Sequence, residues 1–205
     1  MRKTVVARTK PPEHEVRERV YSAAARVFAR KGYAATTVRE IVQQAGVTKP
    51  VLYYYFGSKE GIYRAVLETA RNDFEERIDA VEKLRGSASL RVRRLCEEVF
   101  SLLHKHLDAA RLMHSAYYGP PQGAPSFDFD RVLFRLHDAV RKIIRQGVRR
   151  SEFRGNAEAM TLVVLGACNE CADRELVHPE MAVDQAGFGM VIDVVLRGLK
   201  RKGMR

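Results

Sequence analysis

The stretch that most constrains this chain is residues 36–61, TTVREIVQQAGVTKPVLYYYFGSKEG. Thr37-Val38-Arg39-Glu40 has capping-box spacing: a Thr hydroxyl can accept from the Glu40 N–H while the carboxylate reaches back to the Thr37 N–H. Val38, Ile41, Val42 and Ala45 then share one helical face. Gly46 follows, able to take the positive φ of a helix C-cap. Thr48 is a candidate N-cap for the next helix. Pro50 stands in its first turn, where a missing N–H costs nothing. Leu52 and Phe56 fall one turn apart on one side, which leaves Lys49, Tyr53 and Tyr54 pointing elsewhere. Gly57-Ser58 ends this helix and caps another. Two short helices joined by a tight Gly-containing turn predict a helix-turn-helix, the unit whose second helix enters a DNA major groove.

The charge distribution agrees with that placement. The formal net charge of the 205-residue chain is +11. Residues 1–59 carry twelve Lys/Arg against four Asp/Glu, whereas residues 60–205 carry twenty-four against twenty-one. A basic excess concentrated at the helix-turn-helix end is the electrostatic footprint of a polyanion-binding surface. Only seven Pro occur, and the glycines stand singly between long runs of helix formers, so the fold class is all-α, with about nine helices. Three cysteines cannot all pair. Val5-Val6-Ala7 is too short for the apolar region of a signal peptide, and residues 159–169 are too short to span a bilayer. The reading is a reduced, cytoplasmic, soluble protein.

The remaining elements follow from periodicity. Residues 1–12 form a basic tail ended by Pro11-Pro12, either a disordered terminus or an arm that adds DNA contacts. A first helix is predicted over 13–31, with Gly32 at its end. Ser58 starts a long helix reaching to about 84, the mechanical link between the N-terminal module and the rest. Further helices are predicted over 88–107, 108–117, 127–150, 156–177 and 184–201, with a Gly/Pro-rich loop over 118–125. The last two are apolar nearly all round, which predicts burial on both sides. Leu162, Leu165 and Gly166, with Phe188, Val191, Ile192, Val195 and Leu199, are the candidate subunit interface; the alternative is a helix pair central to the monomer's own core. The domains are therefore 1–58, a DNA-binding module, and 59–205, a regulatory and dimerisation domain.

The order Thr37-Val38-Arg39-Glu40-Ile41, Ala45-Gly46-Val47-Thr48-Lys49, Leu52-Tyr53-Tyr54-Tyr55-Phe56 and Ser58-Lys59-Glu60 resembles the tetracycline-repressor (TetR/AcrR-like) family of bacterial transcription regulators. The resemblance covers about 20–67. Family members commonly have His at the position of Tyr55 and a small residue at that of Pro50. The resemblance implies that Tyr53 and Lys59 meet phosphates, as does the Thr37 end of the second helix. It implies that Lys49 and Tyr54 approach base edges, while Arg39, Thr48, Pro50 and Tyr55 complete the DNA-facing set. It also implies a small-molecule pocket among the C-terminal helices. Phe100, His104, Met113, Tyr117, Phe134, His137 and Cys168 are the candidates to line it; their alternative is plain close-packed core.

Other chemistry lacks a pattern. Cys168-Asn-Glu-Cys171 stands in a helix, without a second cysteine pair or the βαβ context of a redox motif. No Gly-rich phosphate loop, nucleophile elbow or catalytic carboxylate pair is present. Neither an enzyme nor a cofactor is expected. The expected function is a homodimeric, ligand-responsive regulator, released as a repressor from a palindromic operator on double-stranded DNA by a small apolar or aromatic effector. The rival is a DNA-bound regulator whose C-terminal domain recruits a protein partner.

Overall fold

A computed structural model describes residues 12–119 and 123–200, so the basic tail apart from Pro12 and the centre of the Gly/Pro loop lie outside the described residues. The chain is all-α. Its helices are α1 (Glu13–Ala35), α2 (Val38–Ala45), α3 (Lys49–Phe56), α4 (Lys59–Glu82), α5 (Ala88–Lys105), α6 (Leu107–Tyr118), α7 (Phe129–Arg149), α8 (Ala157–Val177) and α9 (Gln185–Leu199), with a 3₁₀ turn at Pro179–Met181. Local sequence explains most of the boundaries. Ser58, Ser87, Asp128, Asn156 and Asp184 each accept a backbone N–H from the first turn of the helix they open. The helical course of α1 breaks at Gly32, whose φ of 73° no other residue there would adopt readily. The buried Thr36 hydroxyl then donates to the Gly32 carbonyl at 2.7 Å and fixes the turn into α2.

Two hydrophobic cores organise the molecule. The first joins α1, α2 and α3 through Val20, Ala24, Phe28, Ile41 and Leu52, and it also takes in Ile62, Val66 and Leu67 of α4 and Ala109 and Leu112 of α6. The second joins the rest of α4 with α5, α7, α8 and α9, around Leu95, Phe100, Ile143, Ile144, Val164 and Phe188. The apolar packing thus divides the chain differently from a cut at residue 58: the first three turns of α4, and α6 from far along the sequence, complete the N-terminal core. α4 passes from one core to the other between Ala70 and Phe74.

Within the second core Phe100 stacks on Phe188 with ring centroids 4.1 Å apart, which locks α5 to α9. α4 and α7 are laced by Arg131 to Glu75 (2.8 Å), Arg135 to Asp79 and Glu82 (2.5 and 3.0 Å) and Lys142 to Glu82 (3.3 Å). Single surface pairs contribute little, but a row along two facing helices sets their register. A single antiparallel bridge between Phe153 and Lys200 ties the end of α9 to the turn after α7.

Candidate nucleic-acid interface and cavity

The helix-turn-helix is built from local signals. Both halves of the capping box form: the Thr37 hydroxyl accepts from the Glu40 N–H at 3.3 Å, and the Glu40 carboxylate accepts from the Thr37 N–H at 2.9 Å. Lys31 also pairs with this carboxylate. Lys31 first, then Thr37, hold the Glu40 carboxyl down at about 2, so it is ionised at neutral pH. Gly46 takes the left-handed conformation (φ 65°) and its N–H is accepted by the Gln43 and Val42 carbonyls. Thr48 stands at the N-cap of α3, but its hydroxyl makes no capping bond, so it is left free; its carbonyl accepts from the Val51 and Leu52 N–H groups instead. Leu52 is fully buried, and the Arg17 guanidinium lies 5.4 Å from the Phe56 ring centroid. These contacts press the inner face of α3 onto α1.

The opposite face of α3 is bare. Tyr54 is 73% exposed and Tyr53 46% exposed. Lys49 and Pro50 are exposed beside them, as are Thr37, Arg39 and Thr48 on and before the neighbouring turns. Tyr55 is more enclosed, edge-on to Tyr54 at 4.9 Å and tilted against Phe56. Lys59 is partly engaged: its ammonium lies 4.3 Å over the Tyr33 ring and donates to the Ala34 carbonyl at 3.4 Å. Partial burial pushes its pKa down, against the raising influence of Glu40.

The seven residues expected to line a pocket do not share one cavity, although Phe100 and His104 meet edge-on with ring centroids 4.7 Å apart. Phe100 is turned into the second core, where Phe188 covers it. Cys168 packs on that same core. His104 faces Glu175 on α8 (3.4 Å), and His137 faces Glu158 (3.6 Å). Phe134 is 65% exposed and Tyr117 also faces solvent. Residue type suggested these positions; helix orientation disperses them. Of the seven, only Met113 lines the half-open cavity of about 130 Å³ enclosed by α4, α5, α6 and α7. Its other walls include Arg71, Phe74, Val99, Leu103 and His106, which sequence reasoning missed. The signal was weak: Phe74, Val99 and Leu103 read as ordinary core stripes. Larger hollows exist, including one of about 620 Å³ lined by Arg77, Arg94, Glu97 and Glu98, which is polar surface with its charges already paired.

The interface expectation needs correction. Phe188, Ile192 and Leu199 are buried in the chain's own core, and Leu165, Val191 and Val195 pack against it. The reason is phase: α9 has two apolar faces, and Phe188, Val191, Ile192, Val195 and Leu199 form the inner one, with Leu165 of α8 packed toward the same core. The outer face carries Met190 (65% exposed) and Val194, and beside it α8 exposes Leu162, Val163 and Gly166.

Among the described residues no helix is long and apolar enough to cross a membrane. Residues 20–66 match the family model described as bacterial regulatory proteins, tetR family. The chain is 32% identical over 114 residues to the HTH-type transcriptional activator FasR of Mycolicibacterium smegmatis, covering 55% of this chain and 52% of that one. It is 37% identical over 65 residues to the HTH-type transcriptional regulator TtgR of Pseudomonas putida, covering 32% and 31%. It therefore spans about half or less of the length of these curated relatives. The fold resembles that of the TetR family regulator PfmR from Thermus thermophilus, with a TM-score of 0.70 at 24% identity, over 89% of this chain and 100% of that one.

Proposed function

From the match of residues 20–66 to the tetR family of bacterial regulatory proteins we propose a homodimeric, ligand-responsive transcriptional repressor that leaves a palindromic operator when a small molecule binds its C-terminal domain. Each relative named above is described as a regulator of transcription and none as an enzyme. The observation that carries the reading is the bare outer face of α3, where Lys49, Tyr53 and Tyr54 are exposed at the basic end of the chain on a helix whose other face is anchored by Leu52. In this reading Lys49 and Tyr54 approach base edges. Tyr53, Lys59 and the Thr37–Arg39 end of α2 hold phosphates, and Thr48, Pro50 and Tyr55 shape the approach. Lys59, already seated over Tyr33, offers its ammonium from a fixed position.

Dimerisation is assigned to the outer faces of α8 and α9, through Leu162, Val163, Gly166, Met190 and Val194. An exposed apolar strip shared by two adjacent helices is the kind of surface a two-fold partner covers. The cavity favours a small-molecule effector over a protein partner, because it lies between helices rather than on the outside. The test is footprinting on the DNA beside the chain's own gene, paired with a reporter. A protected palindrome with half-sites about one helical turn apart, and a reporter that rises when the gene is deleted, is the expected result. A reporter that falls on deletion overturns repression, and the absence of any protected site overturns the DNA-binding reading.

A further inference from the structure

We propose that the cavity between α4, α5, α6 and α7 takes a small organic anion, a carboxylate on a compact apolar body, with the carboxylate held by Arg71. This rests on the reading of the chain as a ligand-responsive regulator and adds the chemical class of the effector. The first observation is an unpaired cation. Arg71 lines the cavity, and its Nε is buried without a hydrogen-bond partner among the described residues. A buried guanidinium N–H without an acceptor is costly, and native structures rarely keep one without a purpose.

The second observation is that no acid lines the cavity, and that the two acids following Arg71 on α4 are committed elsewhere. Glu75, one turn further along α4, is held by Arg131 of α7 through two bonds of 2.8 and 2.9 Å. Asp73 is taken by Lys105 (2.5 Å) and His106 (2.8 Å). His106 reaches the cavity wall, but with its Nε2 turned to Asp73. The Arg71 guanidinium carbon lies 5.5 Å from the Phe127 ring centroid, a contact that does not neutralise its charge. The cavity therefore presents one positive group with no acid of its own opposite it. Arginine's planar fork suits a carboxylate in a paired geometry.

The third observation is shape. Apart from His106 the rest of the lining is apolar, and it includes Phe74, Val99, Leu103 and Met113. At about 130 Å³ the cavity is close to the size of an engineered apolar cavity, about 150 Å³, that accepts benzene. One ring or a short alkyl chain fits; a long chain or a polycyclic body does not. The cavity also bridges the two cores, since Met113 belongs with the first and Phe74, Val99 and Leu103 with the second. An anion seated on Arg71 therefore touches the segment of α4 where it crosses between them.

The experiment is calorimetric titration of the full chain, off DNA, with benzoate and hexanoate, and with benzamide and hexanamide as neutral counterparts of the same shape. Expected is binding of at least one carboxylate about tenfold or more tighter than its amide. Arg71→Met should remove that preference, bringing carboxylate affinity down to about that of the amide, with an unchanged helical circular dichroism spectrum showing that the variant is folded. Arg71→Lys should keep part of the preference. Leu103→Trp, which fills the cavity, should abolish binding of both members of each pair. Equal affinity of acid and amide in the parent chain overturns the anionic class but leaves a ligand cavity standing. Carboxylate binding that survives Leu103→Trp, or that Arg71→Met does not weaken, places the site elsewhere and overturns the proposal. No binding by any of the four overturns it as well. Release from DNA, measured separately, tests the regulatory reading: a carboxylate that binds through Arg71 but leaves the operator complex intact defeats regulation and not the site.

Discussion

At the scale of single residues, Glu40 gives a pH prediction with a definite sign. Its carboxyl is held from 4.5 down to about 2 in the folded chain, by Lys31 first and then by Thr37. A depressed folded pKa contributes stability that is fully present above the unfolded value and is lost as pH falls through the folded one. The urea midpoint of Glu40→Gln should therefore lie below that of the parent at neutral pH. The gap should narrow as pH falls from 4.5 toward 2; a gap that widens on acidification would contradict the capping-box account. Lys49 and Lys59 should part company in DNA binding. Lys59→Ala should weaken specific and scrambled duplex alike and make the salt slope shallower by about one unit per half-site. Lys49→Ala should cost on the order of 1–3 kcal/mol per half-site on the operator, with a smaller effect on random DNA. Competition titrations at two salt concentrations separate the two, and equal losses on both duplexes would refute the division of roles.

At the scale of helices, the glycines and the outer faces make separate claims. Gly147 in α7 lets α5 and the Phe153 ring come close: a Cβ there would stand 2.5 Å from Phe153 Cδ2 and 2.7 Å from the Ala88 Cβ. Gly147→Ala should destabilise the fold by about 1–3 kcal/mol in urea unfolding, because packed neighbours on both sides must shift. Gly166 has nothing within 4 Å of its would-be Cβ, so Gly166→Arg leaves the monomer undisturbed. If the α8–α9 face is the subunit interface, Gly166→Arg and Val194→Asp each place an unpaired charge in it. Each should then sediment as a monomer, since such a charge costs on the order of 3–5 kcal/mol. Two variants that remain dimers would move the interface elsewhere. What could be read in advance was what the chain decides locally. The capping box, Gly32, Gly46 and Ser58 mark boundaries that depend on a few adjacent residues. The phase of α9 could not be read, because both its faces are apolar and only packing against α5 chooses between them. The cavity was hidden for a related reason: its walls come from four helices, and its informative residue, Arg71, looked like any surface charge on α4.

At the scale of the whole molecule, the two cores and the cavity between them are the parts on which the proposed ligand response rests. A ligand changes an equilibrium only by binding one arrangement better than another. The Ala70–Phe74 segment, which Met113 and Leu103 face across the cavity, is where a ligand could do so, because there α4 leaves one packed unit for the other. The association of α6 with α1, through Ala109 and Leu112 in the N-terminal core, has a further consequence. A head mounted on one arm could swivel through any angle. This head is clamped twice, by the arm that runs into it and by α6 pressed against its flank, so it moves only when both grips shift together. On the ligand-responsive reading proposed above, such a device would behave as a latch with two positions. A weak effector, or a low dose of a strong one, should then change how many molecules are unlatched at a given moment, and not how far each of them opens.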